Sequence, residues 1–165
     1  NVTHDDQDSW SPCLRPDWKE CETYRLMEKD LQLTLSVSLH APDDEIRSSM
    51  MPVNRKWNID ELLTACRKYT DATRRRISFE YAMVSGVNDS DDCARLLARK
   101  LRGILCHVNL IPVNEVKETG CKKSSRERIE SFSAILEKNG YAVTVRRKLG
   151  SDINASCGQL RRGEK

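Results

Sequence analysis

From residue 31 onward the chain switches repeatedly between two hydrophobic periods, and this limits it to folds made of strand–helix units. Leu31, Leu33, Leu35, Val37 and Leu39 alternate with Gln32, Thr34, Ser36, Ser38 and His40. A period of two sends successive side chains to opposite faces of a strand. Ala41-Pro42 ends that run, and a short helix is expected over Asp43 to Met50, stopped by Pro52. Asn58 and Glu61 form a capping box, and Ile59, Leu62, Leu63, Cys66 and Tyr69 follow at helical spacing. Period two returns at Ile77, Phe79, Tyr81 and Met83, and Gly86 with Asn88-Asp89 makes a turn. Ser90 caps a helix striped with Ala94, Leu97, Ala98 and Leu101, with Asp91 and Asp92 at its positive end and Gly103 beyond it. A third strand is expected from Leu105 to Ile111. A helix over Ile129, Phe132, Ile135 and Leu136 then opens on a Ser124–Glu127 capping box, and a fourth strand runs from Tyr141 to Arg147.

Strands separated by helices of this length predict βαβ units on a parallel sheet with right-handed crossovers. The strands are polar on one side: Ser36, Ser38 and His40 share a face, as do Ser78 and Glu80. A doubly wound sheet buries both faces and reads as unbroken apolar runs. A (βα) barrel, whole or partial, accepts polar strand positions because its interior holds the active site at the strand C-termini. Ser38 and His40 lie at such an end, and Asn114 follows the third strand. Glu80 stays open between an acid inside the barrel and one half of a structural ion pair.

The 165 residues are enough for one core, and 38% hydrophobic with 32% charged residues suits a soluble globular protein rather than a disordered or membrane one. No apolar run is long enough to cross a bilayer. Residues 1–24 hold Pro12, Pro16, Trp10, Trp18 and many charges without a period, which predicts a disordered leader. Cys13, Cys21, Cys66, Cys93, Cys106, Cys121 and Cys157 are odd in number and include no C-x-x-C pair, so free thiols in a reducing cytoplasm are expected. Cys66 and Cys93 fall on or beside apolar helix faces and read as core. His107 follows Cys106 with no third metal ligand in view. A net charge of +3 identifies no partner by itself. The runs Arg74-Arg75-Arg76, Arg146-Arg147-Lys148 and Arg161-Arg162 could neutralise phosphates or simply be solvated surface.

Ser38-Leu39-His40-Ala41-Pro42, Asp44-Glu45-Ile46-Arg47 and Met51-Pro52-Val53-Asn54-Arg55-Lys56 together resemble the radical-SAM methyltransferases that act on carbon 2 of adenine in RNA. Three further stretches resemble the family in the same order. They are Phe79-Glu80-Tyr81 leading to Gly86-Val87-Asn88-Asp89, His107-Val108-Asn109-Leu110-Ile111-Pro112 with Asn114, and Val143-Thr144-Val145-Arg146-Arg147 leading to Asp152-Ile153-Asn154-Ala155-Ser156-Cys157-Gly158-Gln159-Leu160. The resemblance implies that residues 25–165 are the C-terminal half of a partial six-unit (βα) barrel. It also implies S-adenosylmethionine and a four-iron cluster as cofactors, and 23S ribosomal RNA as substrate, with transfer RNA a further candidate. By the same resemblance Ser38, Leu39, His40 and Asn114 contact S-adenosylmethionine, and Cys157 is the methyl carrier. Such a carrier answers a chemical problem. Carbon 2 of adenine lies between two ring nitrogens, is electron-poor, and cannot itself attack a sulfonium methyl. In the family's route the Cys157 thiolate takes a methyl group by displacement. A 5′-deoxyadenosyl radical then removes a hydrogen from it, and the carbon radical adds to adenine.

The chain also departs from the family pattern. It has no C-x-x-x-C-x-x-C triplet to hold a cluster and no Gly-Gly-Glu-Pro-like segment, and the general base and second cysteine of the N-terminal region are missing. This predicts a portion made of the last three barrel units and the tail, with residues 1–24 read out of frame in a truncated gene model. An inactive remnant that binds RNA through its arginines is the alternative. A half barrel leaves a sheet edge open, so poor solubility or association with the missing N-terminal half is expected.

Overall fold

A computed structural model of the chain describes residues 34–113 and 122–146. The strand positions Leu31 and Leu33, the residues Asn114 and Cys157, and the 1–24 leader lie outside the described residues.

Among the described residues there are four strands and four helices, with at least one helix between successive strands. β1 (Leu35–Ser38) leads to α1 (Asp44–Met50), a single 3₁₀ turn (Pro52–Arg55) and α2 (Ile59–Thr73). β2 (Ile77–Met83), α3 (Asp91–Lys100), β3 (Cys106–Pro112), α4 (Arg126–Lys138) and β4 (Ala142–Val145) follow. All three strand pairings are parallel, and the strands lie in chain order, β1-β2-β3-β4. A doubly wound sheet reverses its strand order where the winding changes direction. Here the order never reverses, so with right-handed crossovers the helices all fall on one face. That is the winding of a barrel wall.

Burial follows the winding. In β2, Ile77, Phe79, Tyr81 and Met83 are fully buried, while Ser78, Glu80 and Ala82 on the opposite face are half-buried. β3 repeats this with Cys106, Val108 and Leu110 against His107, Asn109 and Ile111. Ile59, Leu62, Leu63, Cys66 and Tyr69 from α2, Ala94, Leu97 and Ala98 from α3, and Ile129, Phe132 and Leu136 from α4 complete one core cluster. Tyr81 and Phe132 join sheet to helix, with ring centroids 5.1 Å apart and planes tilted by 39°. Such a pair adds roughly 0.5–1.5 kcal/mol beyond its area.

The expected caps on α2 and α3 are present. Asn58 accepts from the Glu61 amide while Glu61 accepts from the Asn58 amide, and Ser90 accepts from the Cys93 amide. The expected Ser124–Glu127 box on α4 is corrected. Ser125 is the cap and accepts from the Arg128 amide, whereas Ser124 is buried one residue earlier. With Arg128 at the third position there is no reciprocal box, and Glu127 bonds the Ser125 side chain instead. Gly103 (φ +80°) and Gly140 (φ +89°) take the left-handed turns after α3 and α4. Among the described residues no helix is long and apolar enough to cross a membrane.

Candidate functional site

The candidate site is the polar face of the sheet together with the C-terminal end of β1. Register brings its residues into rows. Ser36 pairs with Ser78 and Ser78 with His107. Ser38 pairs with Glu80, Glu80 with Asn109, and Asn109 with Thr144. Side chains in one row point the same way, because the period of two is shared across a parallel sheet. They form a connected network. Asn109 Nδ2 donates to Glu80 Oε2 at 2.8 Å, and Ser78 Oγ donates to Glu80 Oε1 at 3.3 Å. Thr144 Oγ1 donates to Asn109 Oδ1 at 3.1 Å. His107 spans the same face, with Nδ1 3.3 Å from Ser78 Oγ and Nε2 3.0 Å from Thr144 Oγ1. Among the described residues no Lys or Arg pairs with Glu80.

β1 ends in an unusual conformation. The amides of Leu39 and His40 both donate to the Glu80 carbonyl, at 3.0 and 3.3 Å. His40 then turns left-handed, at φ +58°. Its Nδ1 accepts the Ala82 amide at 3.0 Å and so takes the place of the next carbonyl of the strand. In the neutral ring this leaves the hydrogen on Nε2. Burial holds the imidazole pKa below its ordinary value, and the Arg47 charge adds to the lowering while Glu80 opposes it.

Two buried polar residues hold this segment from behind. Arg47 donates from Nε to the Leu39 carbonyl (3.1 Å), from Nη2 to the Ser38 carbonyl (3.2 Å) and from Nη1 to Asn54 Oδ1 (2.7 Å). Asn54 in turn donates to Asp44 Oδ1, which also accepts the Ile59 amide at the start of α2. Asn88 donates to the carbonyls of His40 (2.7 Å) and Ala82 (2.6 Å) and accepts the Val84 amide (2.7 Å). Its own carbonyl accepts the Tyr81 hydroxyl at 2.8 Å. The short motifs of β1, α1, the 3₁₀ turn and the β2–α3 loop are therefore parts of one polar scaffold.

Of the residues expected to bind a ligand, Ser38 and His40 meet at this end of the sheet with Glu80 and Asn109. Leu39 lies between them with its side chain in the core and its amide and carbonyl already bonded. Cys66 and Cys106 are on the helix side, where burial pushes their thiols up to about 12 and about 11, and Cys93 is half-buried against the core. His107, next to Cys106 in sequence, points to the other face. Among the described residues no group of His, Cys, Asp and Glu could hold a metal ion. Arg74 and Arg76 lie at the opposite rim, before β2, whereas Arg146 follows β4 at the rim of the site and donates its amide to the Leu110 carbonyl.

Arg47, Asn54, Asn88, Asn109, His107 and Thr144 carry the geometry without having stood out as functional in the sequence. The available signal was a polar residue inside a motif that is otherwise apolar or turn-forming.

No family model matches the chain. It is 56% identical over 139 residues to a probable dual-specificity RNA methyltransferase RlmN of Clostridium botulinum, covering 84% of this chain and 40% of that protein. It is 53% identical over 139 residues to a protein of the same description from Caldanaerobacter subterraneus, covering 41% of it. Among solved structures, a radical SAM methyltransferase from Sphaerobacter thermophilus superposes with a TM-score of 0.80 at 51% identity, over 85% of this chain and 41% of that one. A domain of a pyruvate-formate lyase-activating enzyme from Bacteroides vulgatus superposes with a TM-score of 0.62 at 19% identity and shares the fold. The chain spans about two fifths of the length of the curated relatives it matches.

Proposed function

Since the chain belongs, over the stretch that matches, to the radical-SAM dual-specificity RNA methyltransferase family, we propose that the whole protein methylates carbon 2 of adenine in 23S ribosomal RNA, with transfer RNA a second substrate. One observation carries the reading for this chain. Its polar sheet face is open, and Ser38 and His40 lie at the strand end where such a wall presents its chemistry.

The residues present fit S-adenosylmethionine, because an open row of hydroxyl, carboxylate and amide groups suits a ligand with hydroxyls and positive charge. That cofactor, when bound, supplies the methyl group and the radical precursor. In this reading Ser38, His40 and Asn114 hold it, and Leu39, its side chain in the core and its backbone bonded, fixes Ser38 and His40 on either side of it. Arg47 and Asn88 keep the carbonyls of residues 38–40 turned away from it. His40, its Nδ1 occupied by the Ala82 amide, offers Nε2–H as a donor. Cys157 carries the methyl group as a thioether, because electron-poor carbon 2 cannot accept it by simple displacement. The described residues do not fit an iron–sulfur cluster. The reading sets the protein in the cytoplasm with its RNA, and the N-terminal half of the barrel completes the site.

The test uses the whole protein and its C157A variant, expressed in a strain lacking the endogenous activity. The expected result is a methyl group on Cys157 in peptide mass spectra and 2-methyladenosine in digested 23S RNA, both lost in C157A. Unchanged 2-methyladenosine in C157A overturns the reading.

A second reading has one observation in its favour: the sequence holds no C-x-x-x-C-x-x-C triplet. In it, the 165-residue chain by itself is a non-catalytic fragment that at most binds RNA. Anaerobic reconstitution with iron and sulfide separates the two. No iron uptake by the isolated chain is expected, and a stoichiometric four-iron spectrum would reinstate it as a catalyst on its own.

A further inference from the structure

Glu80 supplies the carboxylate of the open polar row and stands between Ser38 and Asn109 in it. Its backbone carbonyl takes the amides of Leu39 and His40, and its carboxylate lies in the same row as Ser38. Both carboxylate oxygens accept hydrogen bonds, and among the described residues the donors are neutral, Ser78 Oγ and Asn109 Nδ2. The other network members, Thr144 and His107, reach it only through those two residues. Behind β1, the Arg47 guanidinium is committed to the carbonyls of Ser38 and Leu39 and to Asn54. Among the described residues the carboxylate is thus oriented by two donors and paired with no cation.

An arrangement of this kind has a consequence once a ligand covers it. Water is expelled, and a carboxylate taken out of water is costly unless a positive charge arrives with the ligand. Hydroxyls of a ligand could add hydrogen bonds, but both oxygens already accept one. The missing element is charge.

We propose that Glu80 is a specificity residue that selects a ligand bearing a fixed positive charge, the sulfonium S-adenosylmethionine, over its neutral thioether counterpart. Asn109 and Ser78 are positioning residues that aim the carboxylate. This rests on the proposed function, since it takes S-adenosylmethionine to bind beside Ser38 and His40. It adds how the site distinguishes spent from fresh cofactor, which differ by one methyl group and one charge.

The test is calorimetric titration of the whole protein and two variants with S-adenosylmethionine and with S-adenosylhomocysteine. Glu80→Gln keeps the shape and one acceptor but removes the charge. Glu80→Asp keeps the charge at shorter reach, and it serves as the informative variant should Gln unfold, as judged by thermal melting. Wild type is expected to prefer the sulfonium. In E80Q that preference should fall by about tenfold or more, with affinity for the thioether unchanged or improved. E80D should keep most of the preference. An equal loss of both ligands in E80Q, or an unchanged ratio, overturns the assignment while leaving the proposed function intact. A wild-type protein that binds neither ligand overturns the proposed function and this inference with it.

Discussion

His40 joins three demands in one side chain. It accepts a left-handed backbone, it completes the hydrogen bonding of β2 through Nδ1, and its carbonyl is held by Asn88. Protonation of Nδ1 would break the bond to the Ala82 amide, which agrees with a pKa lowered by burial and by Arg47. The folded state then binds fewer protons than the unfolded state, whose histidine titrates near 6.5. Stability is therefore full above that value and falls as pH drops from it toward the lowered folded pKa. H40N tolerates the same backbone and offers a non-titrating acceptor. It should flatten this part of the pH dependence of the urea midpoint, and an unaltered slope would assign the effect elsewhere. Asn88 is the second critical residue. N88A leaves the Val84 amide and the carbonyls of His40 and Ala82 without their partner. It should destabilise the protein by about 3 kcal/mol in urea unfolding.

At the scale of the element, the helices are held at their ends by caps and along their length by the core. S125A should lower stability by about 1 kcal/mol, and E127A by less, because the Glu127 bond to the Ser125 side chain is fully exposed to water and is not part of a reciprocal box. F132A removes a fully buried ring packed on Tyr81 and should lower stability by about 3–5 kcal/mol. Urea midpoints read both. Strands and helices were legible because burial on one face imposes a period, two for the strands and near 3.6 for the helices. The α4 cap was misread because adjacent serines offer the same chemistry, and only the inward turn of Ser124 decides between them. The strand-end placement of Ser38 and His40 was legible from the period of β1, while their contact with a ligand belongs to the proposal. Arg47 and Asn88 were not legible, since a buried arginine and a buried turn asparagine look in sequence like a surface charge and an ordinary turn. Their roles depend on carbonyls brought to them by tertiary folding. Asn114 and Cys157 lie outside the described residues and remain part of the proposal.

For the whole molecule, the decisive fact is that the core cluster of the described residues lies on the helix-covered side of the sheet. Among the described residues β1 and β4 are the outer strands of the sheet, and their backbone groups on the outer side have no strand partner. Free edges and an uncovered face favour further pairing. The isolated chain should therefore self-associate in sedimentation velocity, and co-expression with the N-terminal portion of a full-length relative should convert it to a discrete complex. A stable monomer unaffected by that portion would contradict the expectation. The division of labour across the sheet also bears on how such a protein can change over generations. Arg47, Asn54 and Asn88 tie the units together from behind, while Ser78, Glu80, His107, Asn109 and Thr144 stand in front. Mutations in the front row can alter what is recognised without loosening the ties, so a lineage can explore new ligands on an inherited frame.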